Sequence, residues 1–299
     1  MFYHSPLSLG HLTGPSHPES PERYITILNS LRKQNIPEVQ VETPCPIKWL
    51  LLFHERRYVS IVHKICSSLS KNQIVQLPTG DVNVSCYSML AARGVIACAI
   101  LATDHIMKKK INRAFVLSRP PGHHASRSKG TGFCLFNTIA VTARYLQRMH
   151  NIKRIAIIDW DAHHGNGTAS IFENDPSILY VSTHHASAYP GTGREHTPTN
   201  CPVLSREEIL TFYEQSLPPL IEQFKPEMIL LSCGFDGHEL DPLVPLGLHA
   251  KDFSTLTKIV VDLAKECCSN RILSFLEGGY HLQALADSAL AHVNALCSN

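Results

Sequence analysis

The sequence lacks a strong excess of charge of either sign. Its 27 basic and 25 acidic residues leave a formal net charge of +2, and its one basic triplet is Lys108 to Lys110. A balance of this kind gives no extended basic field that would attract nucleic acid or an anionic membrane surface. We therefore expect neither nucleic acid nor a membrane to be a direct partner.

Long apolar runs and a secretion signal are also missing. No uninterrupted apolar run reaches the length of a membrane span. The first ten residues lack a basic segment followed by an apolar one. The sequence therefore predicts neither a signal peptide nor a transmembrane segment, and we expect a cytoplasmic or nucleocytoplasmic protein.

The chain has no CxxC pair, although it contains ten cysteines. These are scattered, mostly through apolar segments, and a chain of 299 residues can bury a core without a disulfide scaffold. We expect reduced, buried thiols. Repeats and low-complexity linkers are absent too, so the sequence predicts a single domain over residues 1–299.

What the sequence does contain is an alternation of strand and helix patterns. The predicted strands cover residues 1–5, 114–118, 153–158, 179–183, 228–232 and 272–276. The predicted helices cover residues 21–31, 49–69, 85–107, 134–149, 205–224, 251–267 and 282–296, with a possible short strand at 49–53. Residues 76–85 are predicted to be a loop whose Ser85 caps the next helix. The alternation indicates one doubly wound parallel sheet.

The densest polar cluster follows the apolar stretch at residues 155–158. It contains two aspartates and two histidines: Asp159, Asp161, His163 and His164. Asp161 and His163 are two positions apart, so an extended backbone directs both to the same side. Sites in open α/β sheets gather at the carboxyl ends of strands, and these two side chains could hold a divalent metal there. A polar strand end with satisfied hydrogen bonds is the alternative.

Three other predicted strands end in similar chemistry. His123 and His124 follow the turn RPPG, Asp236 lies in GFDGHELDP, and Tyr280 follows the pair Gly278-Gly279. Each feature alone has a structural explanation. The two histidines could be core residues, the glycine pair could simply turn the chain, and Tyr280 could be a packing aromatic. Four strand ends of this kind in one chain favour a shared catalytic or metal site.

Seven motifs carry a family resemblance. They are HPESPER, RPPGHHA, GFCLFN, DWDAHHGNGT, YPGTG, GFDGHELDPL and LEGGYHL, in this order along nearly the whole chain. Together they resemble the histone deacetylase superfamily, which also includes acetylpolyamine amidohydrolases and acetoin-utilisation proteins. DWDAHHGNGT and LEGGY are more similar to class II deacetylases and their bacterial relatives. The resemblance implies an open three-layer α/β domain with a doubly wound, mostly parallel eight-stranded sheet, as in arginases and deacetylases.

The resemblance also implies a zinc site formed by Asp161, His163 and Asp236. Three protein ligands leave a position open for water and substrate, which is the catalytic pattern. Because two of the ligands are carboxylates, Fe(II) or Co(II) are alternatives. A potassium ion is implied beside the zinc, held mostly through carbonyls by Asp159, Asp161, His163, Ser182 and Thr183.

Catalytic roles are implied for five residues. His124 resembles the general base and later acid, and His123 the neighbouring imidazole that orients water. Their expected partners are Asp159 for His123 and Asn166 for His124. An amide partner favours neutral His124, which is the form that a base needs near pH 7. Tyr280 resembles the tyrosine that donates to the developing oxyanion.

Substrate contacts are implied at a narrow tunnel. Phe133 and Tyr189 match its aromatic walls, Leu243 its mouth and Gly279 a backbone contact near the acyl group. Arg23 matches a residue beside an internal acetate pocket, an exposed arginine being the alternative. Polyamine-selective members carry glutamate at the mouth, so Leu243 favours acyl-lysine in a protein, such as a histone, or in a peptide. Hydroxamates are the expected inhibitors.

Three other functions are compatible with parts of this pattern. An acetylpolyamine or other small-molecule amide deacetylase would use the same catalytic residues. An arginase-like ureohydrolase needs a second metal and further carboxylates, and RPPGHHA occupies the place that would supply them. A non-catalytic acyl-lysine binding protein would not need the complete set of catalytic and metal-binding side chains.

Overall fold

The computed structural model describes residues 1–298 and contains ten strands. These are β1 (Phe2–His4), β2 (Glu38–Gln40), β3 (Ile74–Gln76), β4 (Asn83–Ser85), β5 (Arg113–Leu117), β6 (Ile155–Asp159), β7 (Ile178–His185), β8 (Asn200–Val203), β9 (Met228–Cys233) and β10 (Ile272–Leu276). Eight of them form one sheet in the order β2-β1-β5-β10-β9-β6-β7-β8, and β3 pairs with β4 in a separate antiparallel hairpin. Every neighbouring pair in the large sheet is parallel. The predicted open α/β fold with eight parallel strands is confirmed.

Within residues 1–298, nine α-helices surround the sheet. They are α1 (Pro21–Lys33), α2 (Arg56–Ser68), α3 (Ser88–Met107), α4 (Thr138–His150), α5 (Asn166–Phe172), α6 (Arg206–Thr211), α7 (Leu217–Phe224), α8 (Ala250–Cys267) and α9 (Leu282–Cys297). Among the described residues, a π turn at Phe212–Ser216 joins α6 to α7.

Buried strand side chains divide the interior into two cores. Along β6, Ala156 and Ile158 face the core that contains α1, α8 and α9, whereas Ile155 and Ile157 face the core that contains α2, α3 and α4. Successive side chains on a strand point to opposite faces, so a strand buried on both faces is apolar throughout. This is why the sequence of β6 reads as a continuous apolar run, and it gives the domain three layers.

Three predictions before residue 90 are wrong. Residues 49–53 are not a strand, because Ile47–Leu52 forms a 3₁₀-helix in which Leu50 is fully buried. The predicted loop at 76–85 contains one strand of the β3–β4 hairpin and the end of the other. Ser85 does not cap α3: it is the last residue of β4, and its hydroxyl donates to the Gly10 carbonyl.

Other differences concern element ends and short strands. The helix predicted from residue 134 begins at Thr138, where Asn137 caps it by accepting from the Ala140 amide at 2.9 Å. The helix predicted over 205–224 begins as expected after Ser205, whose hydroxyl accepts from the Glu208 amide, but it is interrupted by the π turn. The edge strands β2 and β8 were not predicted, because three or four residues carry too little periodicity.

Helix α3 is long and apolar enough to meet the criteria for a membrane span by length and composition alone. However, 61% of that stretch is buried inside the fold, where residues such as Ile96 and Ala99 belong to the second core. Its apolar character is therefore explained by packing against the sheet. It is the one helix among residues 1–298 that meets these criteria.

Four neighbouring central strands end at the same edge of the sheet. These are β5, β10, β9 and β6, and their parallel direction brings the segments after Leu117, Leu276, Cys233 and Asp159 together. These four segments carry the polar residues that the sequence places after its predicted strands. The topology thus explains why residues more than a hundred positions apart meet.

Candidate active site

Asp161, His163 and Asp236 converge at this edge. Their ligand atoms all lie within 4.8 Å of one another, and all three side chains are buried. His163 directs Nδ1 toward both carboxylates, at 2.8 Å from Asp236 Oδ2 and 3.1 Å from Asp161 Oδ1. One imidazole nitrogen and two carboxylate oxygens therefore meet at one point.

The electrostatics of this cluster favour a cation. Burial opposes charge on His163, but hydrogen bonds to Asp161 and Asp236 outweigh it and raise the pKa of His163 to about 11. Burial, together with the nearby charge of Asp161, raises the pKa of Asp236 to about 7. As an imidazolium, His163 supplies the positive charge that the two buried carboxylates require. A divalent metal such as zinc would supply this charge in place of the proton, so the donor set fits such an ion.

Backbone amides and glycines hold the carboxylates in place. The Gly278 amide donates to Asp161 Oδ2 at 2.7 Å, and the Ala162 amide donates to Asp236 Oδ1 at 2.9 Å. A Cβ at position 278 would overlap the carboxylate of Asp236 and lie 2.7 Å from Asp161 Oδ2. Only glycine fits this close approach of backbone to carboxylates, which explains the first glycine of EGGY.

The tandem histidines lie beside the cluster, with ring centroids 4.0 Å apart. His123 Nδ1 is 3.1 Å from Asp159 Oδ2, and His124 Nδ1 is 2.7 Å from Asn166 Oδ1. Burial disfavours charge on His123, but the carboxylates of Asp161 and Asp159 overcome it and raise its pKa to about 10. Burial and the neighbouring His123 hold the pKa of His124 well below its usual range. The pair thus combines a charged and a neutral imidazole.

A cavity of about 430 Å³ leads from the surface to this site. It is lined by Asp81, His124, Gly132, Phe133, His163, Ala188, Tyr189, Leu243, Val244 and Tyr280. Tyr189 and Leu243 are 43% and 42% exposed, so they lie at the mouth, whereas His124 and His163 form the floor. Phe133, Tyr189 and Leu243 therefore line the same cavity, as the resemblance implies.

Tyr280 and Gly279 belong to a turn that Arg23 supports. Arg23 is fully buried, not exposed; its Nε donates to the Gly279 carbonyl at 2.6 Å, and its guanidinium lies 5.0 Å from the centre of the Tyr280 ring. The Tyr280 amide donates to Asp241 Oδ2 at 2.7 Å. Gly279 has a φ of +115°, a conformation that favours glycine.

Ser182 and Thr183 lie on β7 beside β6. Ser182 is directly paired with Asp159, and its hydroxyl is 2.9 Å from His184 Nδ1. Thr183 Oγ1 is buried and has no hydrogen-bond partner among the described residues. Both residues are therefore close in the sheet to the strand that carries Asp161.

Three residues beside the site were not assigned roles from the sequence. Glu277 accepts hydrogen bonds from the amides of Gly122 and His123, Tyr180 donates to Asp159 Oδ2 at 3.0 Å, and Asp81 lies at the mouth of the cavity. Glu277 is part of LEGGYHL, which could have identified it. Tyr180 and Asp81 lie in a strand and a loop without a distinctive pattern.

A larger cavity of about 780 Å³ lies on the far side of Asn166 and Tyr180. Several polar side chains around it already have hydrogen-bond partners within the protein. Thr192 bonds to His164, Ser170 to the Gly167 carbonyl and Asn200 to the Gly193 carbonyl. It contains none of the residues of the Asp161, His163 and Asp236 cluster. The smaller cavity, which reaches that cluster, is the better candidate for substrate.

Three comparisons relate the chain to known proteins. The family description "Histone deacetylase domain" matches residues 17–296. The chain is 34% identical to "Histone deacetylase 14, chloroplastic" of Arabidopsis thaliana, across 99% of this chain and 76% of that protein. It is also 34% identical to a "Probable deacetylase" of Archaeoglobus fulgidus, across 92% and 79%. Among solved structures, the HDA15 HD domain matches with a TM-score of 0.86 and 28% identity, covering 100% of this chain and 91% of that one.

Proposed function

Because this chain belongs to the histone deacetylase family, we propose that it is a zinc-dependent hydrolase that removes acetyl or other acyl groups from lysine side chains of proteins or peptides. The observation that carries the proposal is the convergence of Asp161, His163 and Asp236 beside the tandem histidines, at the cavity that His124 and His163 line. We further propose that residues 1–299 act as one catalytic domain.

In this proposal Asp161, His163 and Asp236 hold the zinc ion. The fit is supported by the buried, mutually repelling carboxylates and by His163 Nδ1, which faces both of them. When bound, zinc supplies Lewis-acid chemistry, because it polarises an amide carbonyl and lowers the pKa of water. Ser182 and Thr183, with Asp159, Asp161 and His163, would hold a structural potassium ion, mostly through carbonyls.

His124 acts as the general base and then as the general acid. Its low pKa leaves the imidazole free to take a proton from the attacking water, and the Asn166 amide keeps the ring oriented through Nδ1. His123, held by Asp159, supplies positive charge next to the reacting carbonyl. After the amide carbon has been attacked, the proton on His124 is delivered to the lysine amine as it leaves.

Tyr280 donates its hydroxyl to the carbonyl oxygen as negative charge develops there. Burial raises the pKa of this phenol well above its usual value, so it stays protonated as a donor. Phe133 and Tyr189 line the cavity and would enclose an extended aliphatic stem, with Leu243 at the mouth. Gly279, next to Tyr280 in the chain, would contact the acyl group through its backbone. An acyl-lysine side chain has the shape and polarity of this cavity.

The alternative substrate is an acetylpolyamine, which would reach the same catalytic residues. Leu243 argues against it, because it leaves Asp81 as the one carboxylate among the lining residues, where a glutamate at position 243 would supply a second. A ureohydrolase with two metals is not supported: the other possible ligand group among residues 1–298 is His123, Cys134 and Glu277, which has one carboxylate. A protein that only binds acyl-lysine would not need His123 and His124 as a pair for proton transfer.

One experiment separates these functions. The purified protein is assayed for metal content and for turnover of an acetyl-lysine peptide, a longer acyl-lysine peptide and acetylspermidine. We expect zinc, hydroxamate inhibition and the highest kcat/KM on an acyl-lysine peptide. Higher kcat/KM on acetylspermidine would favour the polyamine deacetylase, and the absence of turnover in the zinc-loaded protein would refute the proposal.

A further inference from the structure

The carboxylate of Glu277 connects the turn that carries Tyr280 to the turn that carries the tandem histidines. Glu277 directly follows β10, and its side chain is 1% exposed. One oxygen, Oε2, accepts from the amides of Gly122 at 2.7 Å and of His123 at 3.1 Å. The other oxygen, Oε1, lies 3.4 Å from the hydroxyl of Ser232.

The two bonds to Oε2 hold the backbone amides of the turn that carries His123 and His124. His123 is buried, so an unpaired amide there costs free energy comparable to a lost hydrogen bond. The carbonyl of His123 is held from the opposite direction by the Thr168 amide at 3.0 Å. The backbone of His123 is therefore fixed on both sides, and its amide side depends on one carboxylate oxygen.

Glu277 is itself held in a fixed position. Its amide donates to the Cys233 carbonyl at 3.0 Å, and its carbonyl accepts from the guanidinium of Arg23. The same turn supplies the Gly278 amide that donates to Asp161. A single turn thus contacts the histidine turn and the proposed zinc ligands.

We propose that Glu277 is a positioning residue that sets the place of His123 and His124 relative to the proposed zinc ligands. The inference rests on the proposed function only in what the histidines do, because the bonds of Glu277 exist whatever the reaction is. A displacement of about 1 Å in reacting groups can cost about 10²-fold in rate. Losing this restraint should therefore lower kcat while the substrate tunnel is preserved.

Three substitutions of Glu277 separate the effect of its side-chain length from the effect of its charge. Glu277→Gln keeps the length and an oxygen that can accept from both amides, but it removes the charge. Glu277→Asp keeps the charge, but it is one methylene too short to reach the amides. Glu277→Ala removes both. Leu256→Ala, at a buried core position in α8, controls for a general loss of stability.

The zinc-loaded variants are compared on an acetyl-lysine peptide, with zinc content measured in parallel. We expect Glu277→Gln to keep kcat within about threefold of wild type, and Glu277→Asp and Glu277→Ala to lower kcat about 10²-fold with KM changed less than about twofold. Leu256→Ala should lower the Tm and leave kcat per folded molecule unchanged. If Glu277→Asp is as active as Glu277→Gln or more active, charge and not reach matters, and the proposal is wrong.

Hydrogen–deuterium exchange of the segment 119–125 tests the positioning role of Glu277 without an activity assay. Slow exchange should persist in Glu277→Gln and be lost in Glu277→Asp. Equal exchange in these two variants would overturn the positioning role. If the wild-type protein turns over no substrate, the proposed function fails, and the exchange comparison still decides the role of Glu277.

Discussion

Asn166 and His124 form a hydrogen bond of 2.7 Å between the amide oxygen and Nδ1 of the imidazole. The neighbouring His123 has a carboxylate, that of Asp159, at the corresponding place. Burial and the charge of His123 lower the pKa of His124. An amide stabilises an imidazolium ion less than a carboxylate does, so the Asn166 partner offsets this effect less than an aspartate would.

Asn166→Asp should therefore impair the proposed base. A carboxylate next to His124 raises its pKa, so a larger fraction of His124 is protonated at neutral pH and unable to accept a proton. We expect the acidic limb of the kcat/KM profile to move to higher pH, with the greatest loss of activity on the acid side. Asn166→Ala, which adds no charge, should lower activity without moving this limb. An unmoved limb in Asn166→Asp would contradict the role of His124.

Removal of one proposed metal ligand should abolish both metal binding and turnover. We expect one tightly held zinc per chain in the wild-type protein and none in Asp161→Ala, because the site loses a charged ligand. Elemental analysis and hydroxamate inhibition measure this. Asp104→Ala, which removes a carboxylate bonded to Tyr145 and His150, should keep its zinc. Stoichiometric zinc and normal turnover in Asp161→Ala would refute the assignment.

The residue at the tunnel mouth should determine the preference between lysine and polyamine substrates. Leu243 is exposed beside Asp81, so Leu243→Glu would place a second carboxylate at the entrance and attract a second ammonium group. We expect the ratio of kcat/KM for acetylspermidine to that for acetyl-lysine peptide to rise. Leu243→Gln, similar in size but neutral, should leave this ratio near the wild-type value. A ratio that rises equally in both variants would exclude charge as the cause.

A buried histidine outside the catalytic cluster, His292, should make stability depend on pH. Burial lowers the pKa of His292 to about 3, and its nitrogens lie 2.7 Å from the Thr257 hydroxyl and 2.9 Å from that of Ser274. The unfolded chain takes up this proton near pH 6.5, so the contribution is present above pH 6.5 and is lost as pH falls toward about 3. Between pH 7.5 and 5.5 this one group should reduce the free energy of unfolding by about 1.4 kcal/mol.

Denaturant titrations at these two pH values test the assignment. His292→Gln keeps a neutral polar side chain, so the stability difference between pH 7.5 and pH 5.5 should be about 1.4 kcal/mol smaller than in wild type. His63→Gln, at an exposed position of α2, is the matched control and should keep the wild-type difference. An identical pH dependence in His292→Gln and wild type would mean that another group is responsible.

The sequence was most informative where strands are buried on both faces. β6 was recognisable as a continuous apolar run and β10 as an apolar run interrupted by Ser274. The polar residues after them fall where parallel strands end, which is why Asp161 and Tyr280 could be placed. β2 and β8, of three and four residues at the sheet edges, were not recognisable, because they are defined by pairing with a neighbour. Glu277 was missed as a contact of His123 for the same reason: the bond spans 154 residues.

Tyr280→Phe should lower kcat strongly and change KM little. In the proposed mechanism the phenol donates to an oxygen that becomes negative only in the transition state, so the free energy that it contributes appears in kcat. Removing one such donor typically costs roughly 2.7–4 kcal/mol, or about 10²–10³ in rate. The phenylalanine ring should still stack with Arg23, whose guanidinium lies 5.0 Å from the ring centre, so the turn should persist.

The rival explanation treats Tyr280 as a packing aromatic, and then phenylalanine would be nearly silent. Steady-state kinetics of Tyr280→Phe on an acetyl-lysine peptide, with zinc content measured on the same preparation, separate the two. Zinc should be retained, because the phenol is not among the three proposed ligands. Tyr145→Phe, which removes a phenol bonded to Asp104 on α3, is the matched control and should keep kcat. A loss in Tyr280→Phe below about threefold, or about 0.6 kcal/mol, would mean that the oxyanion is stabilised without this hydroxyl.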